Sequence, residues 1–585
     1  MRALWLYLDI DSGCPASYNH GVGDVDAVLR DQGHDTSLIY LTKLPECDEL
    51  ISWIDERDPQ VVLLPVNSHQ WAFARTLSDW IKEQRPQVYT VVGGIHAILI
   101  PEQVIEHPAV DFVCIGEGER PLPELFDRLE RGVDPHGIEG LWSKRGSEQV
   151  RTQMPLLIED LDELPISDRS IWPMDLILKQ NYREITVMGG RGCPYRCTYC
   201  ANSARMKRYK GKGRFVRMRS PERYLQLVEL VDRLYDFKSV FFEDDVFTMD
   251  HDWTKRFCEL YRERFSYPFT CYARVETVDR EIFATLKDAG CEMVAIGVES
   301  GNEKLRREVL NRKMSNDDII RVFRWADEFG IKTWNFNIVG IPGETPQTLE
   351  DLFELNKIIR PNRAQVSIFY PYPQTELYDL CKREGFLAKQ EQSNYFHSTI
   401  LNLPTIDPEQ VQEAFWRFRE MSWRIKAEKE ALGIFDFVAE LEAASVTSDA
   451  PEPVSRRQFN VEGDMRLVLF AHPRSEIAYD VDLPDGAEFR AAIALDPLCL
   501  KWGGEGVLFA LLVQEDDGPR ELWSRYLDPK HHESDRGWQQ VCVPLDGLGG
   551  RRQRLVLKTQ TAPSGDMTGA WSGWGDAHIF AAASE

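Results

Sequence analysis

The sequence predicts an α/β protein that ends in an all-β domain. A doubly wound, Rossmann-like parallel sheet comes first, then a partial (β/α)6 barrel, a helical segment and a carboxyl-terminal β-sandwich. Three observations predict it. Over residues 1–137 and again over 181–405, short apolar runs alternate with amphipathic ones, the pattern of repeated βαβ units. Beyond residue 457 helical spacing disappears, and short alternating strands follow one another between Gly, Asp and Pro turns. Finally, 585 residues are too many for one core, and at roughly 150 residues per domain they divide into about three or four.

In the first block, Ala3–Ile10, Ser37–Leu41, Val61–Val66, Tyr89–Val92 and Phe112–Ile115 read as strands with helices between them. Ligands are expected beyond the carboxyl ends of such strands. Residues 138–180 read as a hairpin, Ile138 to Gln153, turning at Arg145-Gly146, and an acidic linker, Ile158 to Pro165. The second block contains six strands: Ile185–Met188, Ser239–Glu243, Phe269–Arg274, Met293–Glu299, Thr333–Val339 and Gln365–Tyr370. Two helix starts support that count, because Ser315 with Asp318 forms a capping-box pattern and Thr345 precedes Pro346. Pro408 to Ala444 has helical apolar spacing, an extension over 406–445, and Ser445 to Arg456 reads as a polar linker. The sandwich, 457–585, shows eight or nine strands, among them Glu476–Leu483, Glu488–Leu495, Val507–Val513 and Arg554–Lys558.

Composition bounds the function. With 43% hydrophobic and 28% charged residues, the chain has no apolar run near the roughly 20 residues that span a bilayer. Met1 to Asp9 reads as a strand and not as a signal peptide. A net charge of −25 repels polyanions, so nucleic acid is not an expected partner. The basic stretch from Arg205 to Arg219 reads as a solvated loop, with phosphates or another anion as the alternative. Twelve cysteines without an export signal fit a reducing, cytoplasmic compartment.

Three of those cysteines are clustered. Gly190-Arg191-Gly192-Cys193-Pro194-Tyr195-Arg196-Cys197-Thr198-Tyr199-Cys200 places three thiols in a glycine-containing loop after the first barrel strand, where barrels keep their active sites. Thiolates suit iron clusters or zinc. Three ligands, where a structural zinc site takes four, leave one metal position open for a ligand. The other reading is zinc with a distant fourth ligand, in a non-enzymatic binding protein whose sandwich does the work.

These residues resemble the radical S-adenosylmethionine (SAM) superfamily, whose motif is Cys-x-x-x-Cys-x-x-Cys with an aromatic residue, here Tyr199, before the last cysteine. The resemblance implies a TIM-like radical SAM barrel and a 4Fe-4S cluster on Cys193, Cys197 and Cys200, the metal ligands and catalytic residues. Its fourth iron would chelate SAM, whose one-electron reduction yields a 5'-deoxyadenosyl radical. It also implies SAM contacts at Tyr199, Asp244, Arg274, Glu299, Ser300 and Gly340. These lie in Phe242-Glu243-Asp244-Asp245, at Arg274, in Gly297-Val298-Glu299-Ser300-Gly301 and in Gly340-Ile341-Pro342-Gly343-Glu344-Thr345. Residue chemistry leaves alternatives open: Asp244 and Asp245 as helix caps, Arg274 as a partner of Glu276, and the glycines as a tight turn.

The first block resembles the cobalamin-binding domain that precedes one branch of that superfamily. The likeness lies in Val91-Val92-Gly93-Gly94-Ile95-His96-Ala97, Pro101-Glu102, Ile115-Gly116-Glu117-Gly118-Glu119 and the stretch Leu161 to Arg169. It implies cobalamin, with Gly93, Gly94 and His96 as contacts; a tight turn before a helix is the alternative for the glycines. The mutase motif Asp-x-His-x-x-Gly is absent, and Tyr18-Asn19-His20-Gly21-Val22-Gly23 has Tyr in the place of Asp, so His20 reads as a turn residue. His69 reads as a loop contact. Cys14, Cys47 and Cys114 do not match the pattern of a second cluster.

In the sandwich, Trp502, Trp523, Trp538, Trp571 and Trp574 read as core, with sugar stacking as the alternative, and His531-His532-Glu533 reads as a turn. The resemblance implies a cobalamin-dependent methyltransferase that passes methyl from methylcobalamin to a substrate radical. A radical cyclase, oxidase or mutase with the same cofactors is the alternative. Its partners would be a small-molecule or lipid-like substrate and an external one-electron reductant of the flavodoxin or ferredoxin type.

Overall fold

The computed structural model describes residues 1–146, 148–388, 398–430, 435–450, 452–461, 464–501, 505–561 and 565–580. Its contacts divide the chain into two compact units, one of residues 1–12 and 16–419 and one of residues 13–15 and 420–585. Among the described residues no helix is long and apolar enough to cross a membrane.

The first unit holds two large sheets and a two-stranded one. Strands Arg2–Leu8, Asp35–Leu41, Val61–Pro65, Tyr89–Gly93 and Phe112–Cys114 run parallel in the spatial order 2-1-3-4-5, with the helices expected between them. Val61–Pro65 is buried almost throughout, as a central parallel strand should be. The hairpin Leu141–Arg145 and Glu148–Val150 extends this sheet antiparallel from Phe112–Cys114. It therefore belongs to the first domain and not to the connection assigned to it from sequence. The acidic stretch that follows is tied down as well. Ile158, Leu161 and Leu164 are buried with Val28, and Asp162 accepts from the backbone of Ser220 at 2.9 Å.

The second sheet has six parallel strands: Glu184–Val187, Ser239–Phe242, Phe269–Ala273, Cys291–Glu299, Lys332–Val339 and Arg363–Ile368, paired in chain order. All six lie within three residues of the bounds expected from sequence. Side-chain alternation sorts their faces. Asn335 and Asn337 turn outward and bond to Asn356 of the helix Pro346–Ile359. Trp334 and Phe336 therefore turn inward, where rings from neighbouring strands meet them. Phe241 lies 4.9 Å from Tyr272 and 6.0 Å from Trp334, and Trp334 lies 4.7 Å from Phe336. Ala295 and Gly297, in register with Trp334 and Phe336, leave room for them.

The helical extension, described from Pro408 to Glu430, does not run on to Ala444. Phe435–Asp436 and Ser445–Ser448 instead pair with strands of the sandwich. Phe437 explains the change: it is fully buried against Tyr479 and Phe489, and such packing overrides local helical preference. Two antiparallel sheets make up the second unit. One comprises Ser455–Val461, Asp464–Phe470, Ser572–Phe580, Glu488–Leu495 and Gln539–Pro544, with Phe435–Asp436 attached. The other comprises Ser445–Ser448, Ser475–Leu483, Arg551–Thr561, Val507–Glu515 and Gly518–Leu527. Among the described residues Trp574 is its largest fully buried side chain, and Trp538 and Trp571 pack on the cluster of Phe459 and Phe470. Trp523 stands 6.2 Å from Trp574, whereas Trp502 lies outside the described residues. His532 precedes a short helical turn, Glu533–Asp535, and His531 bonds to Asp528 at 2.8 Å.

Candidate active site

The cysteine loop leaves the first barrel strand through Gly189 and Gly190, both of whose amides donate to Oδ1 of Asp244, at 3.1 and 2.5 Å. Gly190–Arg191 then pairs antiparallel with Arg217–Met218. At Gly192 the chain turns with φ +86°, and a Cβ there would sit 2.5 Å from the carbonyl oxygen of Phe215, so only glycine fits. Further on, Thr198 donates from its amide to Leu310 at 3.3 Å and accepts from the amide of Leu377 at 3.1 Å. Cys200 is the cap residue of the helix Ala201–Arg208. The loop is thus fastened to the barrel before and within its run of cysteines, and passes into a helix after them.

All three thiols are free of disulfides; Cys197 is buried and Cys193 and Cys200 half-buried. Burial pushes Cys193 up to about 11 and Cys200 up to about 12, with the neighbouring thiols adding to the effect. Without a metal these two are protonated at neutral pH, and a bound metal would displace the protons. Among the described residues, no three His, Cys, Asp or Glu side chains are gathered closely enough to cage a single metal ion. The donor set is three thiols spread along one loop, which fits a polynuclear cluster better than mononuclear zinc.

Two arginines stand over this loop. Arg274 reaches Cys197 Sγ at 3.6 Å, bonds to Glu276 at 2.8 Å and lies 3.7 Å above the ring of Tyr195. The expected pairing of Arg274 with Glu276 therefore forms, and the same guanidinium lies against a thiol of the loop. Arg312 was not singled out from sequence. It is buried, 3.9 Å from Cys197 Sγ, 3.4 Å from the Tyr199 hydroxyl and 3.6 Å from Glu299. No motif or periodicity marks Arg312, because it sits in the irregular segment before the helix Asn316–Glu328. Glu299 adopts φ +69° after a break in strand register at Gly297, a left-handed conformation costing about 1–2 kcal/mol for a non-glycine residue. That twist carries its carboxylate, whose pKa burial raises, to Arg312 and Tyr199.

Three other expected SAM contacts have different surroundings. Asp244 is fully buried with both oxygens engaged, Oδ1 by the two glycine amides and Oδ2 by the Tyr224 hydroxyl at 2.5 Å. It shapes the loop from behind. Its acid is pushed up to about 6 by burial, against those hydrogen bonds. Ser300 is buried, its hydroxyl accepting from Asn302 at 3.3 Å and its carbonyl from Arg306. Gly340, at φ +79°, donates to Oε2 of Glu344 at 2.5 Å, and its bare Cα is closed off by Val411, 3.1 Å from where a Cβ would be.

In the amino-terminal domain Gly94 serves the backbone. Gly94 has φ +86°, and a Cβ on it would lie 2.7 Å from the backbone of Val66, while one on Gly93 would lie 3.5 Å from Cys114. The tight-turn reading describes Gly94, whereas Gly93 ends the strand Tyr89–Gly93 and a Cβ there would make only ordinary contact. His96 is buried, stacked on Trp71 and 3.2 Å from Ser68 Oγ, and burial lowers it to about 4. At this carboxyl edge Gln70 Oε1, Trp71 Nε1 and His96 Nε2 are buried without a hydrogen-bond partner. Such orphaned polar atoms fit a ligand rich in amides, as cobalamin is. His69 lies 4.2 Å from the ring of Tyr370 in a tilted contact, beyond the sixth barrel strand. His20 opens the helix His20–Asp31, and its Nε2 lies 3.2 Å from Glu243. Cys14 is exposed, Cys47 starts a helix and Cys114 is buried in a strand.

The basic stretch is not wholly a solvated loop. Arg217 and Arg219 are buried, Arg217 gripping Glu117 at 2.7 and 3.0 Å and Arg219 reaching Asp24 at 3.4 Å.

Comparison with known proteins agrees with this geometry. Residues 187–355 match the radical SAM superfamily and residues 18–126 the B12 binding domain. An uncharacterized methyltransferase of Pyrococcus horikoshii is 28% identical over 66% of this chain and 82% of its own length. The anaerobic magnesium-protoporphyrin IX monomethyl ester cyclase of Synechocystis is 25% identical over 65% and 76%. The radical SAM methyltransferase TsrM of Kitasatospora setae, solved with cobalamin and a [4Fe-4S] cluster, shares the fold at TM-score 0.53 and 18% identity, over 66% of this chain and 76% of that one. With a B12 binding domain matched ahead of a radical SAM domain, the chain is a radical SAM enzyme with an amino-terminal B12-binding domain.

Proposed function

We propose that this enzyme is a cobalamin-dependent methyltransferase acting on a carbon of a small-molecule or lipid-like substrate. The observation that supports it most is the joining of the two cofactor domains in one compact unit, where side chains of the amino-terminal domain reach the cysteine hairpin and the barrel. When bound, the cluster supplies one-electron reduction of SAM and cobalamin supplies a carrier for methyl. The chain's own residues do the rest. Cys193, Cys197 and Cys200 hold the cluster, and the Arg274 and Arg312 guanidiniums neutralise negative charge on it and on a carboxylate beside it. Glu299 and the Tyr199 hydroxyl offer an acceptor and a donor on the same side. Gln70, Trp71 and His96 offer amide, indole and imidazole atoms to the cobalamin. Inward rings at Phe241, Tyr272, Trp334 and Phe336 exclude water from the barrel, which protects a radical.

The curated cyclase relative favours one second reading, radical cyclisation without methyl transfer. Products separate the two. Enzyme purified anaerobically with cobalamin supplied should carry about four irons and about one cobalt per chain. With SAM, dithionite and the substrate, a methyltransferase forms both S-adenosylhomocysteine and 5'-deoxyadenosine, whereas a cyclase forms only the latter. Deoxyadenosine without homocysteine product, or iron without cobalt, would sink the methyl-transfer reading.

A further inference from the structure

Six charged side chains meet where the amino-terminal domain faces the cysteine hairpin. Asp24, Glu117 and Glu119 come from the first domain; Arg191, Arg217 and Arg219 come from the hairpin that leads into and away from the cysteines. Arg191 reaches Asp24 at 2.7 Å and Glu117 at 3.1 Å, and also bonds to Glu119. Arg217 holds Glu117 with a two-pronged grip and donates to the carbonyl of Ile158 at 2.6 Å. Arg219 reaches Asp24 at 3.4 Å and the carbonyl of Leu164. The side chains of Glu119, Arg217 and Arg219 are each 3% exposed. Three carboxylates thus face three guanidiniums in a largely buried cluster, Asp24 being its most exposed member.

The place of this cluster in the chain gives it a role beyond adhesion. Arg191 is two residues before Cys193, and Arg217 is its register partner across the hairpin. Gly190, next to Arg191, is held from the barrel side by Asp244. The hairpin is pulled by its side chains toward the first domain and by its backbone toward the barrel. Its position, and with it that of the cysteines, is fixed by both.

We propose that Asp24, Glu117 and Glu119 are positioning residues that set the cysteine loop against the B12-binding domain, and so set the distance between the two cofactors. This assigns the paired glutamates of Gly116-Glu117-Gly118-Glu119 to the cluster loop instead of to cobalamin. It rests on the reading that both cofactors act together, but its test does not.

Removing one member of a buried pair leaves an uncompensated charge, whereas removing both together is far milder. Wild type, Glu117→Gln, Arg217→Met and the double variant are purified anaerobically with cobalamin. Iron and cobalt are counted, and the EPR spectrum of the dithionite-reduced cluster is recorded with and without SAM. In Glu117→Gln, cobalt per chain should stay within about twofold of wild type, while the fraction of cluster responding to SAM falls about tenfold or more. The double variant should recover most of that response. Loss of cobalt from Glu117→Gln with an intact SAM response would make Glu117 a cobalamin contact and overturn the proposal. So would a double variant as impaired as its worse parent. If Glu117→Gln is insoluble, a soluble double with a SAM-responsive cluster supports the proposal, and an insoluble double overturns it. Failure to form S-adenosylhomocysteine would count against methyl transfer only, because the cluster response is read without it.

Discussion

Asp244 accepts from two consecutive amides and a tyrosine hydroxyl, so one carboxylate sets the direction in which the cysteine loop leaves the barrel. Its replacements separate shape from charge. Asp244→Asn keeps one oxygen for the two glycine amides and should retain the cluster. Asp244→Ala leaves two buried N–H groups unpaired, a loss of about 2–4 kcal/mol, and iron content after anaerobic purification should fall with it. Equal iron in both variants would show that the loop does not depend on Asp244. The family resemblance suggested this acid for SAM. Whether a carboxylate points up at a cofactor or back at its own loop depends on Tyr224, 20 residues away in sequence, and no spacing rule reports that. Arg312 was missed for the complementary reason, having neither motif nor period.

At the scale of elements, the turn from the fifth barrel strand into the helix Pro346–Ile359 is organised by Glu344. Its Oε2 accepts from the amides of Gly340 and Ile341, while Oε1 is buried without a partner. Burial pushes this acid up to about 8, against those two bonds. A carboxyl that is harder to ionise in the fold than in the unfolded chain is most stabilising when protonated. Its contribution is therefore whole below about pH 4, declines as pH rises toward 8 and levels off above that. Glu344→Gln keeps the two acceptor bonds and removes the titration. Relative to wild type it should gain about 1–3 kcal/mol between pH 5 and pH 8, read from urea unfolding at each pH. A constant difference would show that Glu344 ionises normally. Elements of this kind were the most legible. The barrel strands and the caps at Ser315 and Thr345 follow from local pattern, and both caps form as expected. Residues 435–448 were not legible, because their strand state depends on partners more than 25 residues away.

For the molecule as a whole, the contact boundary at Arg419 falls inside the helix Pro408–Glu430. The amino-terminal part of that helix buries Val411, Ala414, Phe415 and Phe418, and Val411 closes over Gly340. A chain ending at Glu430 keeps this packing and all three cluster cysteines. It should fold, bind iron and form deoxyadenosine from SAM at a rate within about tenfold of the full chain. Loss of iron from the truncated chain would mean that the sandwich is part of the barrel's stability. The sandwich itself was legible as an architecture from its turn spacing, but its task was not, since the four of its tryptophans that the structure describes pack on its own core.

The six-stranded sheet ends at Glu184–Val187 on one side and Arg363–Ile368 on the other, and these two strands do not pair with each other. In a closed barrel, strand number and stagger together dictate the radius, and a wider bore requires another strand. An open arc is free of that arithmetic. Its curvature can relax by small changes of twist between neighbours while every hydrogen-bond register is kept. Bore width thus becomes adjustable by side-chain volume alone, through residues such as Ala295 and Gly297 opposite the large rings. One backbone can then be retuned to guests of very different girth without redrawing its topology.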